Sequence, residues 1–270
     1  MQHVLPTSDY TPVAEWYDAT RDLPEDLLTE LFRRVAAAVA FEPPQRILDA
    51  GCGTAQLSVP LMRAGHHVVG VDIAEAMLRR ARAKVQPGWH GTFIQADVRR
   101  LAFPTGCFDA VVVSKLFQHV GGWPTAVDEL RRVTRDGGLF MHINEKGAFK
   151  NAVRQRFAQE CDARGYVRRY PGIQDRAQLG TYVRERGGRP IPVSVEGLEW
   201  TKTITYREAL RHLELRLHSE FWAVPDGQYE EILAAVRQWI DAQPAGGHTV
   251  ETMTPYLTAE IFQWAPPDGA

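Results

Sequence analysis

The 270-residue sequence contains few cysteines and no long apolar run. Its three cysteines, Cys52, Cys107 and Cys161, are too scattered for a disulfide framework or for a zinc site with closely spaced ligands. No run of about eighteen apolar residues occurs, and the opening "MQHVLPTSDYTPVAEWYD" lacks the basic and apolar regions of a signal peptide. We therefore expect a cytoplasmic protein with no metal site and no membrane partner.

Charge is nearly balanced over the chain but unevenly distributed along it. The formal net charge is −2, which argues against broad binding of nucleic acid. Residues 146–190 nevertheless hold 11 Lys and Arg against 4 Asp and Glu, whereas the rest of the chain holds 20 against 29. This basic segment is either a surface that binds an anionic ligand or a solvated helix face.

Short apolar runs alternate with helical patterns between residues 25 and 145. Residues 25–40 place Leu28, Leu31 and Val35 on one stripe, which predicts a helix before the first strand. The runs "RILDA", "HVVGVDI", "GTFIQAD", "FDAVVVSKL" and "LFMHINE" then predict strands that are separated by crossover segments. Such alternation is typical of an open α/β fold with parallel strands.

After Glu145 the pattern changes. Residues 147–186 predict helices interrupted at "RRYPGIQD", and residues 193–205 have the composition of a strand. Two more helices are expected in "REALRHLELRLHSEFW" and "YEEILAAVRQWIDAQ", and a last strand in "HTVETMTPYLTAEIFQWA". No internal repeat or long linker indicates a second domain.

The stretch "RILDAGCGTAQLSVPLM" places a glycine-rich turn directly after the first strand. Gly51 and Gly53 allow positive φ angles and let a ligand approach the backbone closely. The dinucleotide pattern requires a third glycine where this chain has Gln56, and Asp49 before the turn would repel a pyrophosphate. Pro60 is compatible with the first turn of the following helix. The turn therefore favours a cationic or zwitterionic ligand over NAD.

Polar residues stand at the ends of the next three predicted strands. Asp72 ends the second strand, where a carboxylate can accept hydrogen bonds from both hydroxyls of a ribose. Asp97 ends the third strand and can accept the exocyclic amine of adenine, and Ser114 ends the fourth strand. These positions indicate an adenosine-containing ligand without deciding which one.

Taken in order, these motifs resemble those of the class I S-adenosylmethionine-dependent methyltransferases of the small-molecule type. "LDAGCGTAQLS", "VVGVDIAEAML", "QADVRRLAF" and "FDAVVVSKLFQHV" resemble the first four motifs of that family, and "LRRVTRDGGLFMHI" resembles the segment that follows. The resemblance is close over residues 10–145 and looser beyond them. It implies an α/β fold with a seven-stranded, mostly parallel, doubly wound sheet, and a helical cap inserted after the fifth strand.

The resemblance also implies a division of the chain. It predicts one methyltransferase domain over residues 1–270. Its parts are an N-terminal helical segment (1–40), a cofactor-binding core (41–145), a helical acceptor cap (146–190) and the remaining strands and helices (191–270).

The implied methyl donor is S-adenosyl-L-methionine, with S-adenosyl-L-homocysteine as its product. In this resemblance Asp49 orients the ammonium group of the donor, Asp72 binds the ribose and Asp97 binds adenine. Tyr17 and Arg21 in "EWYDATR" reach the carboxylate of the donor. The predicted donor-binding residues are Tyr17, Arg21, Asp49, Gly51, Cys52, Gly53, Asp72, Ile73, Met77, Asp97, Val98 and Ser114.

The acceptor side is less defined, because methyl transfer depends mainly on alignment and needs a base only when the acceptor loses a proton. The candidate catalytic residues are His119, Glu145 and Glu220, and His142 is expected to be a hydrogen-bonded core histidine. Each candidate has an alternative role in packing. The predicted substrate-binding residues are Trp16, His119, Arg168, Arg169, His218, Phe221 and Trp222.

Arginines of the basic segment, among them Arg154, Arg164, Arg168 and Arg169, could clamp a carboxylate or a prenyl diphosphate. We therefore predict a methyltransferase for a small-molecule acceptor, with an anionic molecule as one candidate acceptor, and a role in bacterial specialised metabolism. An NAD-dependent oxidoreductase and a non-catalytic S-adenosylmethionine-binding protein are the alternatives. The fourth strand runs into "SKLFQH" rather than Asn-Pro-Pro-aromatic, which disfavours nucleic-acid methylation. The acceptor atom, protein acceptors and the oligomeric state stay open.

Overall fold

The structure is a computed structural model that describes residues 10–21, 23–166, 170–175, 177–222 and 224–265. Short 3-10 helices occur at Thr11–Trp16, Phe117–His119, Ser219–Phe221 and Gly246–His248. The strands are β1 (Arg46–Ala50), β2 (His67–Asp72), β3 (His90–Gln95), β4 (Phe108–Val113), β5 (Thr134–Lys146), β6 (Gly188–Ile191), β7 (Lys202–Thr205), β8 (Val250–Met253) and β9 (Tyr256–Trp264). The α-helices are α1 (Tyr17–Thr20), α2 (Glu25–Val39), α3 (Ser58–Arg63), α4 (Glu75–Ala83), α5 (Trp123–Val133), α6 (Ala152–Ala163), α7 (Ala177–Glu185), α8 (Tyr206–Glu214) and α9 (Asp226–Asp241).

Seven strands form one sheet in the order β3-β2-β1-β4-β5-β9-β6. Strands β1 to β5 pair in parallel, whereas β9 runs antiparallel to both β5 and β6. The predicted seven-stranded, mostly parallel sheet is confirmed. Because the strand order reverses between β1 and β4, the crevice above their carboxyl ends is where such sheets bind ligands.

Helices cover both faces of the sheet, so its central strands are apolar on both sides. Successive residues of β1 belong to opposite layers: Ile47 packs with α2, α3 and α4, and Leu48 packs with α5 and α7. The predicted stripe of α2 is confirmed, since Leu28, Leu31 and Val35 are buried. Pro60 lies in the first turn of α3, where its missing N–H has no helical partner to lose.

The range predicted for the acceptor cap, residues 146–190, contains elements of the main sheet and of the helical layer on it. Helix α7 lies within residues 146–190 but packs on the sheet, where its Leu179 and Val183 are buried with Phe262 and Trp264. The same range also contains most of β6, which is an edge strand of the main sheet. An edge strand tolerates Pro190, which has no N–H to donate.

The predicted strand at residues 193–205 is wrong for most of its length. Only β7 is a strand there, and it pairs with β8 in a separate two-stranded sheet. The last predicted strand is two strands, β8 and β9, separated by Thr254 and Pro255. We define the cap as α6 together with residues 202–253, so most of the cap follows β6 rather than β5.

The cap has its own hydrophobic core. Phe157 of α6 packs against Phe221 and against Tyr229 of α9, with ring centroids 4.6 and 4.8 Å apart. Ile204, Leu213 and others complete a cluster that shares no buried residue with the two sheet clusters among the described residues. Within the described ranges, no helix has the length and apolar character needed to cross a membrane.

Candidate functional site

The glycine turn joins the ends of β1 and β2. The backbone N–H groups of Gly51 and Cys52 both donate to the carbonyl of Val71, at 2.8 and 2.9 Å. Gly51 has a φ of +71°, and a Cβ added there would lie 2.7 Å from a methyl carbon of Leu116. Glycine is therefore favoured at this position by the positive φ angle, and a larger residue would also require the Leu116 side chain to move.

Two adjoining cavities flank this turn, and we call them together the donor crevice. The outer cavity encloses about 850 Å³ between protein atoms, part of it open to solvent, which is within the usual range of small-molecule sites. The inner cavity is smaller and reaches Asp49 and Cys52. All the predicted donor-binding residues except Arg21 line one or both cavities: Tyr17, Asp49, Gly51, Cys52, Gly53, Asp72, Ile73, Met77, Asp97, Val98 and Ser114.

Two carboxylates lie at the base of the crevice. Asp49 is almost fully buried and accepts a hydrogen bond of 2.6 Å from the Ser58 hydroxyl. Burial raises the pKa of Asp49 to about 7, and the neighbouring Asp72 adds to that shift. Asp72 accepts hydrogen bonds from the backbone N–H groups of Gly53 and Ala74, at 2.9 and 2.8 Å. Burial also raises the pKa of Asp72, against the opposing effect of these bonds.

The outer end of the crevice has a mixed lining that suits a flat, partly polar ring. Ile73 is 54% exposed beside the cavity, whereas Met77 is buried beneath it. Asp97 lines the cavity and forms a 2.6 Å ion pair with Arg99. Hydrogen bonding from Arg99 lowers the pKa of Asp97, so its carboxylate is ionised near neutral pH and can accept hydrogen bonds.

The segment of residues 10–21, which we call the strap, covers the donor crevice. Arg80 of α4 anchors it by donating to the carbonyls of Ala14 and Glu15, both at 2.8 Å. Tyr17 lines both cavities, and the Arg21 guanidinium lies 5.0 Å from the centroid of the Tyr17 ring. The sequence prediction included Arg21 as a direct contact, but the structure places its guanidinium behind Tyr17.

Tyr10 closes the strap over the crevice. Its hydroxyl lies 2.9 Å from His119 Nε2 and 3.0 Å from Ser219 Oγ, so it joins the strap to the loop after β4 and to the cap. Sequence reasoning missed Tyr10, because no local pattern connects it with residues so distant in the chain. Burial, reinforced by the charge of Arg21, lowers the pKa of His119 to about 4. The imidazole is therefore neutral at pH 7 and can accept a proton.

Lys115 separates the donor crevice from a further cavity. It lines both parts of the crevice, and its Nζ lies 3.0 Å from the carboxylate of Glu145. Glu145 and Glu220 line the further cavity, which we call the acceptor groove. The complete lining of the acceptor groove is Glu145, Gly147, Ala148, Phe149, Lys150, Arg154, Gln155, Ala158 and Glu220.

The arginines that were predicted to clamp an anion already have carboxylate partners where they are described. Arg154 forms a two-point ion pair with Glu220, in which Nη2 lies 2.6 Å and Nε 2.8 Å from its oxygens. Arg164 pairs with Glu160. Arg168 and Arg169 lie outside the described residues.

The remaining predicted substrate contacts lie away from the three cavities. Phe221 is fully buried in the core of the cap, where its ring packs against protein, and its contact with substrate stays a prediction. His218 is also buried there, and burial lowers its pKa well below its ordinary value. Trp222 packs on the Tyr10 ring at 5.2 Å, and Trp16 is 44% exposed on the strap.

Comparison with known proteins agrees with this site. The family model described as "Methyltransferase domain" matches residues 48–142. A demethylmenaquinone methyltransferase of Streptomyces avermitilis is 42% identical over 132 residues, which cover 48% of this chain and 56% of that protein. A demethylmenaquinone methyltransferase of Thermus thermophilus is 36% identical over 148 residues, which cover 52% of this chain and 67% of that protein. The chain thus spans a little over half to two thirds of the length of these relatives.

A solved structure shows the same fold. The YcgJ protein of Bacillus subtilis aligns with a TM-score of 0.56 at 15% identity, over 88% of this chain and 99% of that one. The glycine turn and the acidic strand ends Asp72 and Asp97 lie within the residues that the family model matches. The chain therefore belongs to the class I S-adenosylmethionine-dependent methyltransferases.

Proposed function

We propose that this protein transfers the methyl group of S-adenosylmethionine to a small molecule bound in the acceptor groove. The observation that carries the proposal is the contact between the two sites, since Lys115 lines the donor crevice and pairs at 3.0 Å with Glu145 of the groove. An acceptor beside this pair is next to Ser114 and Tyr17, which border both cavities of the crevice.

The residues of the crevice fit the parts of the donor. Asp49 in the inner cavity suits the ammonium group, while Asp72 and Asp97 in the outer cavity suit the ribose and the adenine amine. When bound, the donor supplies a methyl group on a positively charged sulfur. The protein contributes alignment, because an acceptor atom about 3–3.5 Å from the methyl carbon reacts with little further loss of freedom.

His119 is the proposed base for an acceptor that must lose a proton. It lines the outer cavity and lies 2.9 Å from the Tyr10 hydroxyl. Burial holds its pKa at about 4, so the ring is neutral at pH 7 and a weak base. Glu145 and Glu220 are the alternatives on the groove side. Glu145 already forms an ion pair with Lys115, and Glu220 already forms one with Arg154.

The names of the relatives suggest one acceptor molecule, and a lysine of the groove suggests a chemical class of acceptors. Two relatives are named for demethylmenaquinone, and a quinone-type acceptor is accordingly part of the panel that tests this proposal. An anionic acceptor, such as a carboxylate or a prenyl diphosphate, is the second candidate. It is favoured by Lys150, which lines the groove and has no ion pair among the described residues. A role in bacterial specialised metabolism remains part of the proposal.

The direct test uses S-adenosylmethionine with an isotopically labelled methyl group and a panel of paired acceptors. Each pair consists of an acid and its uncharged ester or amide, and a quinone is added. We expect label in at least one small-molecule product. If acids are favoured, Lys150→Gln should raise KM for the acid and leave KM for its neutral partner unchanged. The matched control is Arg33→Gln, which also removes one positive charge, at an exposed position away from the groove.

The alternatives give different results in the same preparation. An NAD-dependent oxidoreductase would bind NADH tightly and would not bind S-adenosylmethionine. A non-catalytic binding protein would bind S-adenosylmethionine and label none of the acceptors. Either result would overturn the proposed transfer.

A further inference from the structure

A chain of polar side chains runs from the donor crevice along one face of the sheet, across β5, to the neighbouring strand β9. The backbone N–H of Lys115 donates to Asn144 Oδ1 at 3.1 Å, and Asn144 Nδ2 lies 2.7 Å from His142 Nε2. His142 Nδ1 then lies 3.2 Å from Glu260 Oε2 on the neighbouring strand β9. His142 and Asn144 are 8% and 3% exposed, whereas the Glu260 side chain is 42% exposed.

The direction of each hydrogen bond follows from the chemistry of its atoms. Asn144 Nδ2 can only donate, so His142 Nε2 accepts, and the proton of the neutral ring is on Nδ1. Nδ1–H then donates to the carboxylate of Glu260. Asn144 Oδ1 consequently faces Lys115 as an acceptor, so the two buried side chains are fixed in one arrangement that ends at the Lys115 backbone.

Lys115 needs such support because of its backbone. Its φ is +52°, a left-handed value that is uncommon for a residue with a Cβ and is kept only where the surroundings enforce it. This residue lines both cavities of the donor crevice and forms the ion pair with Glu145. A hydrogen bond made by the Lys115 N–H therefore affects a residue that lies between the donor crevice and the acceptor groove.

We propose that Asn144 and His142 are positioning residues, which hold Lys115 in its left-handed conformation at the donor crevice, and that Glu260 fixes the tautomer of His142. The proposal rests on the donor site of the proposed function. Neither Asn144 nor His142 lines the crevice or the acceptor groove, so each would act on the donor only through Lys115.

The test measures the affinity for S-adenosylmethionine by calorimetry, which requires no knowledge of the acceptor. Asn144→Leu removes both hydrogen bonds at similar volume, and His142→Phe keeps a ring without its nitrogens. We expect each variant to bind the donor about tenfold more weakly. An effect of this order is usual when a buried hydrogen-bonding group is left without its partner. Asn144→Asp keeps an acceptor for the Lys115 N–H and should restore most of the affinity.

The matched control is Thr258→Val. Thr258 Oγ1 donates to the backbone carbonyl of Asn144 at 3.3 Å, so it touches the same residue without belonging to the chain. We expect wild-type donor affinity for this variant.

A second background separates positioning from general loss of structure. In Lys115→Gly the left-handed conformation needs no support, so adding Asn144→Leu should weaken donor binding no further. An equal loss in both backgrounds would overturn the proposal, as would wild-type affinity in folded Asn144→Leu and His142→Phe. If the wild-type protein itself fails to bind the donor, the donor site and the positioning role fall together, whereas unchanged affinity in the variants refutes the positioning role alone.

Discussion

The side chain of Asp49 makes the donor crevice sensitive to pH. Burial raises its pKa from 3.8 to about 7, so between these values the folded protein holds a proton that the unfolded chain releases. The contribution of this group to the free energy of unfolding is therefore full below about pH 4 and is lost as the pH rises to about 7. Above about pH 7, the folded protein carries a buried, ionised carboxylate, which the ammonium group of the donor would stabilise.

Donor affinity should accordingly rise with pH until it levels off above about pH 7, because only ionised Asp49 attracts the ammonium group. We expect Asp49→Asn to bind more weakly at pH 8 and to lose this dependence. Calorimetric titrations with S-adenosylhomocysteine at pH 5.5, 6.5, 7.5 and 8.5 measure both effects. A wild-type affinity that falls over this range would contradict the role of Asp49.

Asp72 gives a second prediction for a single side chain. Asp72→Ala removes the carboxylate proposed for the ribose and also the acceptor for the Gly53 N–H. We expect donor affinity to fall at least about tenfold, since two hydrogen bonds to a charged group are lost. Glu75→Ala is the matched control, because that carboxylate pairs with Arg82 on the surface of α4. Equal affinities of the two variants would exclude the ribose role.

Among the elements, the 3-10 helix Ser219–Phe221 illustrates how packing differs from binding. Phe221 is fully buried against Phe157 in the cap. Phe221→Ala should lower the free energy of unfolding by about 3–5 kcal/mol, the usual cost of removing a buried aromatic ring. Urea denaturation measures this loss, and donor affinity under native conditions should stay unchanged. Full stability in Phe221→Ala would contradict this packing role.

The strands that could be predicted from sequence are those whose signals are local. β1 to β4 are short runs bounded by recognisable residues: Gly51 follows β1, Asp72 ends β2, Asp97 lies two residues after β3 and Ser114 follows β4. β6 and β7 could not be separated, because one β-rich stretch supplies a short edge strand of the main sheet and a strand of the cap. Their partners, β9 and β8, lie far along the chain.

Contacts across the chain explain what sequence reasoning missed in the site. Lys115 has no motif of its own, and its importance comes from a left-handed backbone and from Glu145. The basic segment was visible as a charge surplus. The pairing of its arginines was not visible, since Arg154 pairs with Glu220 in the 3-10 helix Ser219–Phe221, 66 residues away. Charge counts predict a surface potential and leave the individual partners undetermined.

For the protein as a whole, donor binding should stabilise the fold and order the strap. At 100 times its Kd, a ligand adds about 2.7 kcal/mol to the free energy of unfolding, which corresponds to about 5–10 °C in Tm for a chain of this size. Thermal denaturation with S-adenosylhomocysteine measures this shift, with adenosine monophosphate as control. Amide hydrogen exchange in residues 11–21 should slow at the same time, because Tyr17 borders both cavities. Unchanged exchange there would show that the strap does not close on the donor.

The separate hydrophobic core of the cap has a consequence for how such an enzyme can be redesigned. The groove side chains of α6, such as Arg154 and Gln155, are supported by that core and not by the cores of the sheet. Substitutions of groove residues on α6 therefore act first on the core of the cap, whereas Glu145 and the Tyr10–Ser219 contact connect the groove and the cap with the donor crevice. A directed-evolution library confined to Arg154, Gln155 and Ala158 of α6 can search for new acceptors without altering a residue that lines the donor crevice.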